Sequence, residues 1–284
     1  MPAYQNNPQH QRKAKAGRRR EVWLRKWLPW LYNRADPKWI EVKPVSITLP
    51  RLPAAFNEYR VVQISDIHMG TWMTSERLRV IVDLVNQQEA DVIAITGDFV
   101  SYNAELWKNE LITILQTLHS NDAVVGTLGN HDYWSDPEII MDIMRDSQII
   151  ALTNDVFAIR RGDDKLNFCG VSSQYVGQDR LDLVIEKLDH GECNILLAHE
   201  PDIANQSAAS GYFDLQLSGH AHGGQFILPF WGPVLRVRHA HDYPMGKYQI
   251  GEMVQYTSRG LGTSSIPLRI NCPPEITVFT LRTR

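Results

Sequence analysis

Cysteine is scarce in this chain: Cys169, Cys193 and Cys272 are widely spaced and never form a C-x-x-C pair. That spacing excludes a disulfide framework and a zinc ribbon, and it points to buried thiols in a reducing compartment. Long apolar runs are also missing, since no stretch reaches the ~18 residues of a membrane span. Arg18, Arg19 and Arg20 run into Glu21, Arg25 and Lys26, where a secretory signal would carry an uncharged core. The expected location is therefore cytoplasmic. No repeat at solenoid periods is present.

Acidic residues are nearly absent at the start. Residues 1 to 34 carry nine Lys or Arg against Glu21 alone, about +8, which leaves 20 basic and 31 acidic residues, about −11, in the remainder. A basic arm precedes an acidic body, so extended nucleic-acid binding is not expected of the body. Within the arm, Trp23, Leu24, Trp27, Leu28, Trp30 and Leu31 would share an arc of roughly 160° on a helix, although Pro29 would end or kink that helix. Two readings stay open. Residues 12–31 can form an interfacial anchor on an anionic membrane, at its inner face, or a terminal helix packed on the body. The division expected is an arm over 1–41 and a single domain over 42–284.

From about residue 42 the apolar pattern alternates (Val45, Ile47, Leu49) and predicts a first strand. Short buried strands at Val61 to Ile64, Val92 to Ile95 and Val124 to Val125 then alternate with helical spacings at Leu78, Ile81, Val82, Val85 and at Leu111, Ile114, Leu115, Leu118. This predicts an α/β fold with a largely parallel sheet in the first half. Helices are expected near 136–147 and 179–189, and strands near 156–160, 166–171, 194–198, 214–218, 255–258 and 276–281.

Metal-ligand residue types stand at five predicted strand ends, where open α/β sheets carry their sites. They are Asp66 and His68; Asp98; Asn130, His131 and Asp132; His199; and His220 and His222. Residues two apart in extended chain project to one side, so Asp66 and His68 can grip one ion, while a bend after His220 lets His220 and His222 reach different ions. A carboxylate such as Asp98 can bridge two ions. This mixture of imidazole, carboxylate and amide oxygen suits Mn, Fe or Zn better than Ca or Mg alone. Any one of these motifs is common by chance; their order and joint placement are not.

The words SDIH, GDF, GNHD, AHEPD and GHAH, over roughly residues 60–280, resemble the calcineurin-like metallophosphoesterase family. GGQ at 223–225, RGLGTS at 259–264 and NCPPEI at 271–276 resemble its bacterial membrane-associated, YkuE/YaeI-like branch. The resemblance implies a sandwich of two mixed β-sheets flanked by helices and a binuclear centre of two divalent metal ions. It further implies that Asp66, His68 and His222 hold one ion, that Asn130, His199 and His220 hold the other, that Asp98 bridges, and that His131 is the catalytic histidine. A carboxylate, Asp132 or Asp98, is expected to position the His131 ring. The activity implied is hydrolysis of a phosphate ester or anhydride.

Substrate is less legible. The apolar stretch Phe226 to Pro233 reads as a wall for an acyl chain or as a hairpin packed under the sheet. Arg236, Arg238, Arg259 and Arg269 are candidate phosphate partners, whereas His239 and His241 lack a strand end and a glycine turn. The arm and the apolar stretch together suggest a lipid or nucleotide-lipid phosphate ester at a membrane surface. The alternatives are a soluble nucleotide or nucleic-acid phosphodiesterase and a non-catalytic metal-binding interaction module.

Overall fold

The computed structural model describes residues 39–284 except 235 and 265. The basic arm and its Trp-rich segment thus lie outside the described residues, apart from 39–41.

Two six-stranded sheets face each other. The first contains β1 (Glu41–Thr48), β2 (Tyr59–Ile64), β3 (Val92–Thr96), β4 (Ala123–Thr127), β5 (Ile150–Ala151) and β14 (Glu275–Arg282), in the order β1-β14-β2-β3-β4-β5. The expected parallel run is present, since β2, β3, β4 and β5 are parallel neighbours. The C-terminal strand is inserted between β1 and β2, parallel to the first and antiparallel to the second. The second sheet contains β6 (Asp155–Arg161), β7 (Asp164–Gly170), β8 (Cys193–Leu197), β9 (Leu215–Ser218), β12 (Gly246–Ile250) and β13 (Met253–Thr257), in the order β12-β13-β9-β8-β7-β6. A short pair, β10 (Ile227–Leu228) and β11 (Gly232–Pro233), stands apart from both.

Alternation along the strands divides the core, because successive side chains leave a strand on opposite faces. Val61, Val92, Ala94 and Phe279 meet Phe168, Ile195, Leu217 and Tyr256 between the sheets. Val62, Ile64, Ile93 and Ile95 face the helices outside the first sheet. Those helices are α1 (Ser75–Asn86), α2 (Ala104–Leu115) and α4 (Pro137–Asp146), with the short α3 (Asn130–Ser135) ahead of α4. Helix α1 forms because Leu78, Ile81, Val82 and Val85 make one buried stripe and the Thr74 side chain caps its start. Asp136 caps α4, with Pro137 in its first turn.

Outside the second sheet lie α5 (Leu181–Ile185) and α6 (Ala204–Ser210). The helix expected over 179–189 is shorter. After Ile185 the N–H groups of Lys187 and Leu188 bond three residues back, to Val184 and Ile185, so the tail winds as tighter turns. Among the described residues no helix is long and apolar enough to cross a membrane.

Candidate metal centre

The ends of β2, β3 and β4 in one sheet and of β8 and β9 in the other open into the same buried pocket. Asp66, His68, Asp98, Asn130, His199, His220 and His222 are all buried there. The motif turns are shaped for it: Asp66, His68, Asp98, His220 and His222 have φ of +53, +51, +57, +66 and +51°. Left-handed backbone at a residue with a side chain costs roughly 1–3 kcal/mol and concentrates at functional sites. Two glycines permit the close approach of these turns. A Cβ on Gly129 would lie 2.2 Å from Asp98 Oδ1, and one on Gly219 would lie 2.4 Å from Asp66 Oδ2.

Donor atoms converge. Nε2 of His222 is 3.3 Å from Asp66 Oδ1, and Nε2 of both His68 and His199 is 3.3 Å from Asp98 Oδ2. The Nε2 atoms of His68 and His222 are 3.0 Å apart. Asp66, His68 and His222 form one cluster of potential ligand atoms; Asp66, Asp98 and His199 form another; His199, Glu200 and His220 form a third; and His68, Asp98 and His131 form a fourth. Asp66, His68 and His222 are thus close together, as are His199 and His220, and Asn130 lines the same cavity as His220 and His222.

Hydrogen bonds behind the rings aim the free nitrogens, because a proton given by one ring nitrogen leaves a lone pair on the other. His199 Nδ1 donates to Thr96 O at 2.7 Å, and its buried Nε2 has no hydrogen-bond partner; Asn130 Oδ1 is likewise buried and unpartnered. His220 Nε2 donates to Arg238 O at 2.8 Å, which leaves Nδ1 toward the pocket. An imidazole nitrogen that faces only the Asp98 carboxylate outside hydrogen-bond geometry, and a buried amide oxygen with no partner, are costly unless a cation meets them, and the residues present fit divalent metal ions.

The electrostatics agree. Burial lowers the pKa values of His68 and His222 well below the usual imidazole range, and that of His220 as well, which keeps them in the neutral form a metal requires. Burial also opposes charge on His199, but the carboxylates of Asp98 and Asp66 outweigh it and raise its pKa. The field at that position draws positive charge.

His131 sits at the edge of this cluster, half-buried, its ring 4.7 Å from that of His68. Its orienting partner is not a carboxylate: Nδ1 donates to Ser101 O at 2.8 Å, while the His131 backbone N–H donates to Asp98 Oδ1 at 2.9 Å. Asp132 instead accepts the backbone N–H groups of Asp98 (2.9 Å), Phe99 (2.8 Å) and Gly129 (2.9 Å), locking two motif turns together. Burial and the Asp98 charge raise the Asp132 pKa against the pull of those donors. Glu200 is committed to Ser173 Oγ and to the N–H groups of Gln174 and Tyr175.

Above the centre lies a cavity of about 240 Å³. Tyr102, Trp134, Tyr175, Val237 and Arg238 line it beside His131, His220 and His222. Sequence reasoning missed the three aromatic residues. Tyr102 and Trp134 follow GDF and GNHD closely enough to be suspected, whereas nothing local marks Tyr175. Of the candidate arginines, Arg238 lines this cavity, with its guanidinium 5.5 Å from the Tyr175 ring centre. Arg269 is buried and donates to the carbonyls of Arg259, Gly260 and Gly262. Arg259 pairs with Glu275 and Glu41. These two arginines and the RGLGTS segment form a collar behind Asp66 and His222.

A sequence family described as calcineurin-like phosphoesterase matches residues 59–224, from the start of β2 through the GHAHGG turn. The chain belongs to this family. It is 31% identical over 251 residues to the uncharacterised metallophosphoesterase YkuE of Bacillus subtilis, covering 87% of each chain. An uncharacterised metallophosphoesterase of Helicobacter pylori J99 is 32% identical over 261 residues, 90% of this chain and 66% of that one. The phosphodiesterase YaeI of Escherichia coli is 26% identical over 252 residues, 87% and 90% of the two chains. Membership makes the chain a metal-dependent phosphoesterase, and the Asp/His clusters described above could hold its divalent ions.

Proposed function

We propose that this phosphoesterase cleaves phosphodiester or pyrophosphate bonds with two divalent cations. Asp66, His68 and His222 would hold one cation, Asn130, His199 and His220 the other, and Asp98 would bridge them. The observation that carries this reading is the buried donor set itself: His199 Nε2 faces only the Asp98 carboxylate, 3.3 Å away and outside hydrogen-bond geometry, and Asn130 Oδ1, in the same cavity lining as Asp98, is buried without a partner. When bound, two such cations supply a nucleophilic water at neutral pH and neutralise phosphoryl charge. The donor chemistry favours Mn, Fe or Zn.

The chain's own residues have distinct tasks. His131, with its Nδ1 proton committed to Ser101 O, presents Nε2 to the cavity, where a protonated ring can stabilise phosphoryl charge or give its proton to the departing oxygen. Arg238 at the cavity wall can pair with a phosphoryl oxygen. Burial raises the pKa of Tyr102 and keeps its hydroxyl protonated as a donor. Asp132 and Ser101 position these groups without touching substrate.

The name of YaeI supports a diester over a monoester. We read the substrate as amphiphilic, a lipid or nucleotide-lipid, met at the inner face of the membrane with help from the basic arm over 1–41, which we treat as separate from the 42–284 domain. One observation favours a nucleotide phosphodiesterase instead: Tyr102, Trp134 and Tyr175 offer aromatic faces on which a base can stack. Hydrolysis of bis-p-nitrophenyl phosphate, lipid-linked pyrophosphates and cyclic or dinucleotide diesters, each with Mn, Fe and Zn, separates these readings. A protein inert on every substrate with every ion would instead be a metal-binding interaction module.

A further inference from the structure

The β10–β11 hairpin is the largest feature that the metal centre leaves unexplained. It is not packed under a sheet. Its base is braced: Ile227 N–H donates to Ile270 O (3.0 Å), Ile270 N–H to Gln225 O (2.9 Å) and Val234 N–H to Phe226 O (2.9 Å). The Gln225 side chain donates to the carbonyls of Ile266 and Leu268 and accepts from Ser264 N–H. The tip is bare, with Phe230 at 106% and Trp231 at 85% exposure, and Leu228, Val234 and Ile270 are exposed nearby. Single exposed apolar side chains are ordinary, but five around one braced loop mark a contact surface.

Charge identifies the occupant. No Asp or Glu occurs from 215 to 241, and that stretch holds Arg236 and Arg238, both exposed. Among the described residues neither has a carboxylate within ion-pair distance. Two aromatic residues at the tip and guanidinium groups at the neck match an anionic bilayer, with rings at headgroup depth and arginines on lipid phosphates. The placement gives the contact a purpose. One leg of the hairpin leaves the His222–Gly224 turn, and the other runs on to Val237 and Arg238 in the cavity wall. At about 240 Å³ the cavity is smaller than the ~300–1,000 Å³ that encloses a whole small ligand, so most of an amphiphile would lie outside it.

We propose that the hairpin over 226–234 is a membrane-contact element that sets Phe230 and Trp231 into the interface of an anionic bilayer and brings the cavity mouth to the lipid phosphates. The inference deepens the amphiphilic-substrate reading and rests on it for the purpose of the contact, not for the contact itself.

The full chain carrying Phe230→Cys provides the test, because Cys169, Cys193 and Cys272 are buried and an environment-sensitive dye will label position 230. Vesicles of phosphatidylcholine mixed with phosphatidylglycerol should shift the dye emission to the blue, and pure phosphatidylcholine should do so less. The unlabelled double variant Phe230→Ser with Trp231→Ser should partition roughly tenfold or more less onto the mixed vesicles, while hydrolysing a soluble diester at the wild-type rate. Failure to bind vesicles overturns the proposal, as does binding with unchanged emission or a double variant that partitions as the wild type. A blue shift that grows with protein concentration without vesicles also overturns it, by identifying a self-association surface. Loss of soluble diester hydrolysis by the wild type would strike the phosphoesterase reading alone and leave the contact standing.

Discussion

At the scale of single residues, the site divides into groups that would grip cations, a group that faces the reacting phosphate, and groups that only hold the others still. The division has measurable consequences. Asp98→Asn and His199→Ala should each lower bound metal and remove nearly all turnover, because both side chains meet at Asp98 Oδ2. His131→Ala should keep its metal and lose roughly 10²–10⁴ in kcat, because the ring is anchored through Nδ1 on Ser101 O and the side chains expected to hold the two ions do not include it, although it stands beside His68 and Asp98. Metal analysis beside kinetics separates the two patterns, and an emptied site in His131→Ala would reassign that residue as a ligand. Asp132→Asn should cost roughly 3 kcal/mol of stability in a denaturant titration. Its amide would turn N–H toward the buried backbone donors of Asp98, Phe99 or Gly129. A variant as stable as the wild type would show that those bonds do not lock the turns.

At the scale of elements, the metal centre depends on how closely the motif turns approach one another. Gly129 touches Asp98 so tightly that a Cβ would stand 2.2 Å from Oδ1 and 2.7 Å from the Asp98 nitrogen, and Asp132 prevents the two turns from parting. Gly129→Ala should therefore displace Asp98 and lower kcat/KM by roughly 10², with the far-ultraviolet dichroism of the fold retained. Wild-type kinetics in that variant would mean that the turns are looser than their contacts imply.

The motif turns were also the most legible part of the sequence. Each follows an apolar run whose burial is plain, and each combines residue types that are expensive to bury without a cation, so SDIH, GDF, GNHD, AHEPD and GHAH announce a shared pocket. What stayed hidden depends on long-range pairing or on local tightness. Nothing near Glu275–Arg282 says that β14 enters between β1 and β2, because that position depends on strands more than 200 residues earlier. Asp132 or Asp98 reads as the carboxylate that positions the His131 ring, whereas Asp132 turns to the backbone of a turn 33 to 34 residues upstream and Asp98 accepts the His131 backbone N–H, not its ring. Phe226 to Pro233 reads as a wall for an acyl chain or as a hairpin packed under the sheet, and apolar composition alone did not announce that its tip is exposed.

At the scale of the molecule, the two sheets share more than a hydrophobic interface. Asp66, Asp98 and Asn130 belong to turns of the first sheet, and His199, His220 and His222 to turns of the second, so cations held between them would join the sheets across the top of the core. Ligand that binds only the folded chain stabilises it by mass action, about 2.7 kcal/mol at a hundredfold excess over Kd. Chelation should lower Tm by several degrees as it abolishes turnover, and added Mn should restore both together. A Tm indifferent to chelator would mean that the sheets hold the pocket without help.

The central claim is a pair of cations between these turns, and anomalous diffraction from crystals grown with Mn or Zn tests it most directly. The account predicts two peaks roughly 3.5–4 Å apart, one beside Asp66, His68 and His222, the other beside Asn130, His199 and His220, with Asp98 between. A single peak elsewhere, or none in protein that still hydrolyses a diester, would contradict it.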